Sequence, residues 1–377
     1  MEGPARIISE APILIAGIGL LTPLGRTATE TWQALLDGEF ITDHARAAGE
    51  FDSNTPRVIQ MARRAADEAL GQANWSPADE YATVIGTSKG SIESWLSPNP
   101  LQYMAYMPYE AGGFDTAGLA DISAQIANGY GPRLTVSAAC ASGLIALIRG
   151  AMLIRSGEAR RVLVVAVEAS VHPLFIGSFK RLGVLPAGGI GCRPFDETRD
   201  GFLMSEAAAA ICLGASDDTH GVVSPRIALD QYGLGADAAH LTAADPTGRV
   251  LRHLMDKVTQ DRPIDLVHAH GTGTIANDPV ELAAIESVFK GATSSPCLYS
   301  HKGALGHSLG AAGLIAVVLN VLAHQQGIVP SNIRTTQPLA TRTVTIASTV
   351  QRRPIHRSLA LAAGFGGATA AVGLASV

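Results

Sequence analysis

What this chain has little of limits what it can be. Aromatic residues make up 5% and charged residues 16% of its 377 positions, and there are four cysteines, Cys140, Cys192, Cys212 and Cys297. None stands in a Cys-x-x-Cys pair, which removes the sequence sign of a zinc knuckle or a dithiol redox centre. So few cysteines in so long a chain do not make a disulfide framework. The formal net charge is −5, so bulk charge does not attract nucleic acid. No uninterrupted apolar run reaches the roughly 18 residues of a membrane span. The first apolar run follows Glu2, Arg6 and Glu10 and is too short for the core of a secretion signal. The expectation is a soluble, cytoplasmic protein with no metal, nucleic-acid or membrane partner.

Glycine, by contrast, occurs 40 times, and 47% of the residues are hydrophobic. Such a chain buries a large core as one unit or two fused ones. Its glycine content suits an α/β protein with tight turns and close helix–sheet packing. Ile13-Leu-Ile-Ala-Gly-Ile-Gly reads as a buried strand entering a glycine turn. Thr27-x-x-Glu30 is a capping box opening a helix that Gly38 stops. Val58, Ile59, Ala62, Ala65, Ala66, Ala69 and Leu70 form the apolar stripe of a second helix. Ala82-Thr-Val-Ile-Gly, residues 134–137 and Arg161-Val-Leu-Val-Val-Ala-Val read as strands, and residues 141–156 as a buried helix. Residues 87–120, irregular and rich in Gly, Pro, Tyr and Met, read as a long functional loop.

After Cys212 the style restarts. Strands are expected at residues 226–229, 264–269 and 297–300, and helices at 247–258, 278–289 and 310–324. A closing hairpin spans 358–362 and 368–375 around Gly364-Phe-Gly-Gly. Gly143-Leu-Ile-Ala recurs as Gly313-Leu-Ile-Ala, each beginning a buried helix after a strand. Together with the restart this favours two similar α/β halves, residues 1–215 and 216–377.

The chemistry gathers at strand ends. Cys140 lies in Ser-Ala-Ala-Cys-Ala-Ser-Gly, between a strand and a helix N-terminus whose amides and dipole favour a thiolate. The bland alternative is a small buried hydrophobe. Cys192, Cys212 and Cys297 lack that context and read as structural. His270 precedes Gly-Thr-Gly-Thr, a turn that exposes its imidazole, with Asp278 and Glu281 on the next helix placed to orient it. A lone histidine at a strand end is more often structural. Lys302 and His307 share Lys-Gly-Ala-Leu-Gly-His, where the glycines argue for a loop. The positive end of the helix from Gly310 favours a neutral imidazole there. His268 and His301 read as structural or solvent-facing. Phe365, held between glycines, suits one wall of a site, although a hairpin explains the glycines equally well.

Taken together, Ala-Cys140-Ala-Ser-Gly, His270-Gly-Thr-Gly-Thr and Lys302-Gly-x-x-Gly-His-x-x-Gly-Ala-Ala-Gly resemble the beta-ketoacyl-ACP synthases. So do Gly364-Phe-Gly-Gly, Arg193-Pro-Phe-Asp-Glu-Thr-Arg-Asp-Gly-Phe and the opening Gly17-Ile-Gly-Leu-Leu-Thr-Pro-Leu-Gly. The resemblance runs from about Ile13 to Leu374. It implies the thiolase-like fold, two similar α/β halves stacked as a five-layered αβαβα structure, in a homodimer or beside a ketosynthase-like partner.

It implies that Cys140 takes an acyl group from a carrier-protein phosphopantetheine thioester. A malonyl thioester then loses CO₂, and its enolate attacks the acyl-cysteine to give a 3-oxoacyl thioester. The backbone N–H groups of Cys140 and Phe365 would form the oxyanion hole. His270 and His307 would hold the enolate, and Lys302 would support His307. Thr272, Thr274, Phe365 and Gly366 would meet the pantetheine arm, with no tightly bound cofactor. Lys180, Arg181 and Arg193 suit docking of an acidic carrier protein and equally a solvated surface; residues 104–107 suit an acyl pocket reached across a dimer interface, although methionines at such positions more often serve core packing.

The chain departs from the family pattern at several points. Ala316 stands where a glutamate usually pairs with the lysine. Ala368-Thr369 replaces the usual Thr-Asn, Ala363 the usual aromatic, and Ser205-Glu-Ala-Ala-Ala-Ala a glycine-rich run. The stretch between Phe40 and Arg57 is short. These changes point away from housekeeping elongation, to a specialised pathway of polyketide or polyene type or to a ketosynthase that needs a partner subunit, with fatty-acid-like biosynthesis kept beside them. The other readings are a non-catalytic, chain-length-factor-like subunit and a Cys-dependent acyltransferase.

Overall fold

Glycine decides how closely the first strand and second helix approach. A Cβ added at Gly17 or Gly19 would lie 2.1 Å from Ala69 O or 2.0 Å from Ala65 O. The helix backbone therefore rests directly on the strand. This computed structural model describes residues 11–76, 79–96, 131–188, 191–216, 225–240, 245–292 and 294–377; residues 104–107 lie outside them.

The strands of the first half are β1 (Ile13–Leu21), β2 (Ala82–Gly86), β3 (Arg133–Val136), β4 (Arg161–Glu168) and β5 (Ala207–Ala215). Those that follow are β6 (Ile227–Ala236), β7 (Leu266–His268), β8 (Cys297–Tyr299), β9 (Ile328–Val329), β10 (Thr345–Ile346), β11 (Gln351–Arg352), β12 (Arg357–Ala363) and β13 (Ala368–Ser376). The helices are α1 (Ala28–Leu36), α2 (Arg57–Ala73), α3 (Ile92–Leu96), α4 (Ser142–Arg155), α5 (Pro173–Arg181), α6 (Arg249–Thr259), α7 (Asp278–Val288), α8 (Lys302–Leu305) and α9 (Ala312–Gln326).

The two halves repeat one topology. The first half orders its strands β3-β2-β4-β5-β1 and the second β8-β7-β12-β13-β6. In each, the first three strands are parallel and the last two join antiparallel. A two-residue pairing of β1 with β6, Ile13 with Leu229 and Leu14 with Ala228, joins the halves into one eleven-stranded sheet in which β10 extends the second half. The faint repeat in sequence is therefore a repeat in structure.

Five layers result. Helix α2 covers the outer face of the first sheet half, on β1, β5 and β4. Helices α6 and α7 cover the outer face of the second. Between the halves lie α4 and α9, touching each other and facing β2 and β4 on one side and β12 on the other. Gly143 and Gly313, the repeated glycines, stand where these helices meet: an added Cβ would lie 2.9 Å from Gly310 O and 3.0 Å from Leu144 Cβ, respectively. The stretch Leu309–Gln326 is long and apolar enough to cross a membrane, yet 89% of it is buried inside the protein. It is the core helix that both sheet halves need.

Local signals held with small shifts. Thr27 Oγ1 accepts the Glu30 N–H at 3.1 Å, while the Glu30 carboxylate reaches back to Arg26 N–H rather than to Thr27. The closing hairpin forms as β12 and β13.

Candidate active site

Cys140 sits on the turn between β3 and α4. Ala139 takes the left-handed conformation (φ 48°) to make it. Ser142 Oγ ties the turn, accepting Ala138 N–H at 2.9 Å and donating to Ala139 O at 2.6 Å. The tip of the β12–β13 hairpin docks on this turn. A Cβ at Gly364 would lie 2.8 Å from Ala138 O and 3.2 Å from Cys140 N, so only glycine allows the approach. Phe365, 37% exposed, lies beside it.

The second half delivers the imidazoles. His270 follows β7, and two carboxylates from the first turn of α7 hold its loop. Glu281 accepts the N–H groups of His270 (2.6 Å) and Gly271 (2.7 Å). Asp278 accepts those of Thr272 and Gly273 at 3.1 Å and Phe195 at 2.7 Å. The spacing of three that put both acids on one helix face made this orienting role legible in the sequence. Gly271 and Gly273 both have positive φ, 38° and 74°.

His307 is fixed by its backbone, donating to Leu203 O (2.7 Å) and accepting from Ser205 N (3.1 Å). Its ring stands edge-on to Phe202 at 4.9 Å and to His270 at 5.5 Å. Lys302 is buried, and its ammonium donates to the carbonyl of His270.

One expectation is corrected. Lys302 to Leu305 is a helical turn, α8, because Ala304 and Leu305 bond back to His301 O and Gly306 ends the turn at φ 73°. The long helix opens with a 3₁₀ turn at Leu309 and continues as α9 from Ala312, so its positive end lies two residues beyond His307, close to it as the sequence suggests. His268 and His301 do not face solvent. Both are buried and bonded to each other at 2.8 Å, and His268 also bonds to Asn320 at 2.9 Å. Asn320 is one helical turn beyond Ala316, so this pair lies at the face where Ala316 stands.

Burial dominates the electrostatics. The Cys140 thiol is pushed up to about 11 by desolvation, against the fields of Lys302 and Lys89. His270 and His307 are held well below the ordinary histidine value, by burial first and the Lys302 charge second. Burial lowers Lys302 as well, and Glu281 is the main group opposing that. Glu281 itself is raised to about 7 by burial. Both imidazoles are thus neutral near pH 7, donors of one hydrogen bond each. Lys302 has found a partner in the His270 carbonyl, with the field of Glu281 favouring its charge.

One cleft of about 1030 Å³, open to solvent, brings together Cys140, His270, His307, Thr272, Thr274, Phe365 and Gly366. Thr272 and Thr274 share a hydroxyl–hydroxyl bond of 3.0 Å. Phe179, Val184 and Phe202 line the same cleft, with Asp237, His240 and Asp245 also on its wall. The sequence reading missed these. Phe202 ends the Arg193–Phe202 motif that had been noted, but nothing in the sequence aimed its ring at His307. Lys302 does not line the cleft. Among the described residues no three His, Cys, Asp or Glu side chains converge as a metal site.

Comparison with known proteins agrees with this arrangement. The family models "Beta-ketoacyl synthase, N-terminal domain" and "Beta-ketoacyl synthase, C-terminal domain" match residues 40–219 and 228–336. A mitochondrial 3-oxoacyl-[acyl-carrier-protein] synthase of Arabidopsis thaliana is 29% identical, over 98% of this chain and 94% of its own length. 3-Oxoacyl-[acyl-carrier-protein] synthase 2 of Coxiella burnetii is 27% identical, over 86% of this chain and 89% of its own. Two solved structures share the fold with TM-scores of 0.83. They are the AntDE ketosynthase in complex with its type II polyketide acyl-carrier protein (22% identity) and the ishigamide ketosynthase/chain length factor (24%); each match covers 98% of this chain and all of the other.

Proposed function

Because this chain belongs to the beta-ketoacyl synthase family, a family of condensing acyltransferases, we propose how its residues divide the reaction. Cys140 Sγ attacks the carbonyl of an acyl thioester carried on the phosphopantetheine arm of an acyl carrier protein. The carrier C–S bond breaks, the acyl group stays on Cys140, and the thiol proton leaves with the pantetheine sulfur. The backbone N–H groups of Cys140 and Phe365 stabilise the oxyanion of this step.

A malonyl thioester then occupies the cleft, its thioester carbonyl accepting from His270 and His307. The bond to its carboxylate breaks, CO₂ departs, and the electron pair forms an enolate held by the two neutral imidazoles. The enolate carbon attacks the acyl carbonyl on Cys140. The Cys140 C–S bond breaks, the 3-oxoacyl thioester leaves, and the thiolate recovers a proton from solvent. Thr272, Thr274, Phe365 and Gly366 line the path of the pantetheine arm.

The observation that carries the reading is the pair of neutral imidazoles 5.5 Å apart in the same cleft as the thiol. Two donors around one carbonyl suit an enolate better than simple acyl transfer. A chain-length-factor-like role is less favoured, because nucleophile and imidazoles are all in place. The proposal places the division between the halves at residues 215 and 216. It includes a cytoplasmic setting and docking of the carrier protein at Lys180 and Arg181, exposed at the end of α5 beside the lining Phe179.

Intact-protein mass spectrometry and malonyl decarboxylation assays test it. Cys140→Ser abolishes the acyl adduct, whereas His307→Ala still acylates but loses decarboxylation by about 10²–10³-fold. A His307→Ala variant that condenses at the parental rate removes the assignment.

A further inference from the structure

One group of polar side chains beside Cys140 has no part in the steps above. Parallel strands β3, β2 and β4 end at one edge of the sheet, and the residues that follow are those around Cys140, Ser88-Lys89 and Glu168–Ser170. Glu168 is fully buried, and its Oε2 accepts from Ser88 N (3.0 Å), Ser88 Oγ (2.6 Å) and Gly310 N (3.1 Å). Its Oε1 and the hydroxyl of Ser170 are buried without a partner among the described residues. Residues two apart in extended chain face the same side.

Lys89 is half-buried and has no carboxylate within ion-pair distance among the described residues. Its Nζ stands 5.5 Å from the centroid of the Phe175 ring. Phe175 and Cys140 both pack against the apolar cluster of Phe179, Phe202 and Leu309. The Lys89 charge reaches the Cys140 thiol, and it comes from the first half, whereas Lys302 and the imidazoles come from the second. Burial raises the Glu168 carboxyl, opposed by its bonds to Ser88 and by the Lys89 charge, and its Oε2 is already taken by three donors. A half-buried ammonium with no carboxylate in ion-pair distance among the described residues, on the apolar wall beside a nucleophile, is placed to be completed by an incoming anionic group.

We propose that Lys89 is a specificity-determining residue, and that the acyl group Cys140 accepts carries a terminal carboxylate that pairs with the Lys89 ammonium. The methylenes between thioester and carboxylate pack on Phe175 and its apolar neighbours, and Ser170 Oγ supplies a second donor. The proposal rests on acylation of Cys140 as described above.

The test follows Cys140 acylation of the full chain by mass spectrometry, using N-acetylcysteamine thioesters in pairs of matched length. The pairs are pentanoyl with glutaryl, heptanoyl with pimeloyl, and nonanoyl with azelaoyl; 3-oxopentanoyl is the uncharged oxygen control. The carboxylate member reacts faster at one length or more, by roughly tenfold, the worth of one modest charge pair. Lys89→Arg keeps the preference, Lys89→Met removes it and Lys89→Glu inverts it, with unchanged unfolding midpoints showing that the fold persists.

Three results overturn the proposal. They are methyl-ended chains reacting as fast at every length, a carboxylate preference that survives Lys89→Met, and a Lys89-dependent preference for 3-oxopentanoyl over glutaryl. No adduct from any thioester removes the acyl-enzyme reading itself, and this proposal with it.

Discussion

At the scale of single residues, the unusual property is a lysine buried among four histidines. Lys302 lists among the causes that depress His268, His270, His301 and His307, after burial in each case. In the proposed mechanism neutral imidazole is the working form, and the Lys302 charge opposes its protonation. The sign follows directly. A nearby positive charge lowers a histidine's affinity for protons, and removing the charge raises it. In Lys302→Met the imidazoles protonate at higher pH, and the acid limb of malonyl decarboxylation moves upward. Rates measured from pH 5 to 8 check this. An unmoved limb with only a lower plateau would make Lys302 a packing residue. The partner of this lysine was not legible in the sequence, because Ala316 removes the carboxylate expected on α9. Its replacement, the carbonyl of His270, is a backbone atom that no side-chain pattern reveals.

At the scale of elements, α4 and α9 meet through glycine at the point where α4 presents Cys140. A Cβ at Gly143 would lie 2.9 Å from both Gly310 O and Ala166 Cβ. Backbone cannot yield cheaply, so Gly143→Ala forces the helices apart and costs about 1–3 kcal/mol. Gly177 on α5 has nothing within 4 Å of an added Cβ. There the same change gains about 0.5–1 kcal/mol, because alanine suits a helix interior better. Chemical denaturation of the two variants checks the opposite signs, and slower Cys140 acylation accompanies only Gly143→Ala. The helices themselves were readable from apolar periodicity. Helix α8 was not: two glycines in six residues suggested a loop, and the tertiary fit of that segment against Leu203 and Ile333 overrides the local preference.

At the scale of the whole molecule, repeated topology places the nucleophile and the imidazoles on different halves. The cleft exists only where the halves meet, at the ends of β3 and β7. Among the described residues strand β3 is the last strand of its side of the sheet, and it is partly exposed. An unpaired strand edge is a natural site for association. The chain is expected to sediment at twice its own mass, as a homodimer. A stable monomer with full condensing activity would count against this assembly.

By itself the sequence determined the chemistry and the fold class. Cys140, His270, Lys302 and His307 stand in motifs whose glycines and strand-end positions are local properties, readable one segment at a time. Apolar periodicity and the repeated Gly-Leu-Ile-Ala likewise announced two α/β halves. Only the tertiary structure decided the distances and the charges. Desolvation makes the imidazoles neutral and raises the thiol, and desolvation depends on every element packed around the site. The same holds for the His268–His301–Asn320 chain beside Ala316 and for Lys89 near Cys140. Each joins residues far apart in the chain, and contact at long separation comes from packing, which no local pattern encodes.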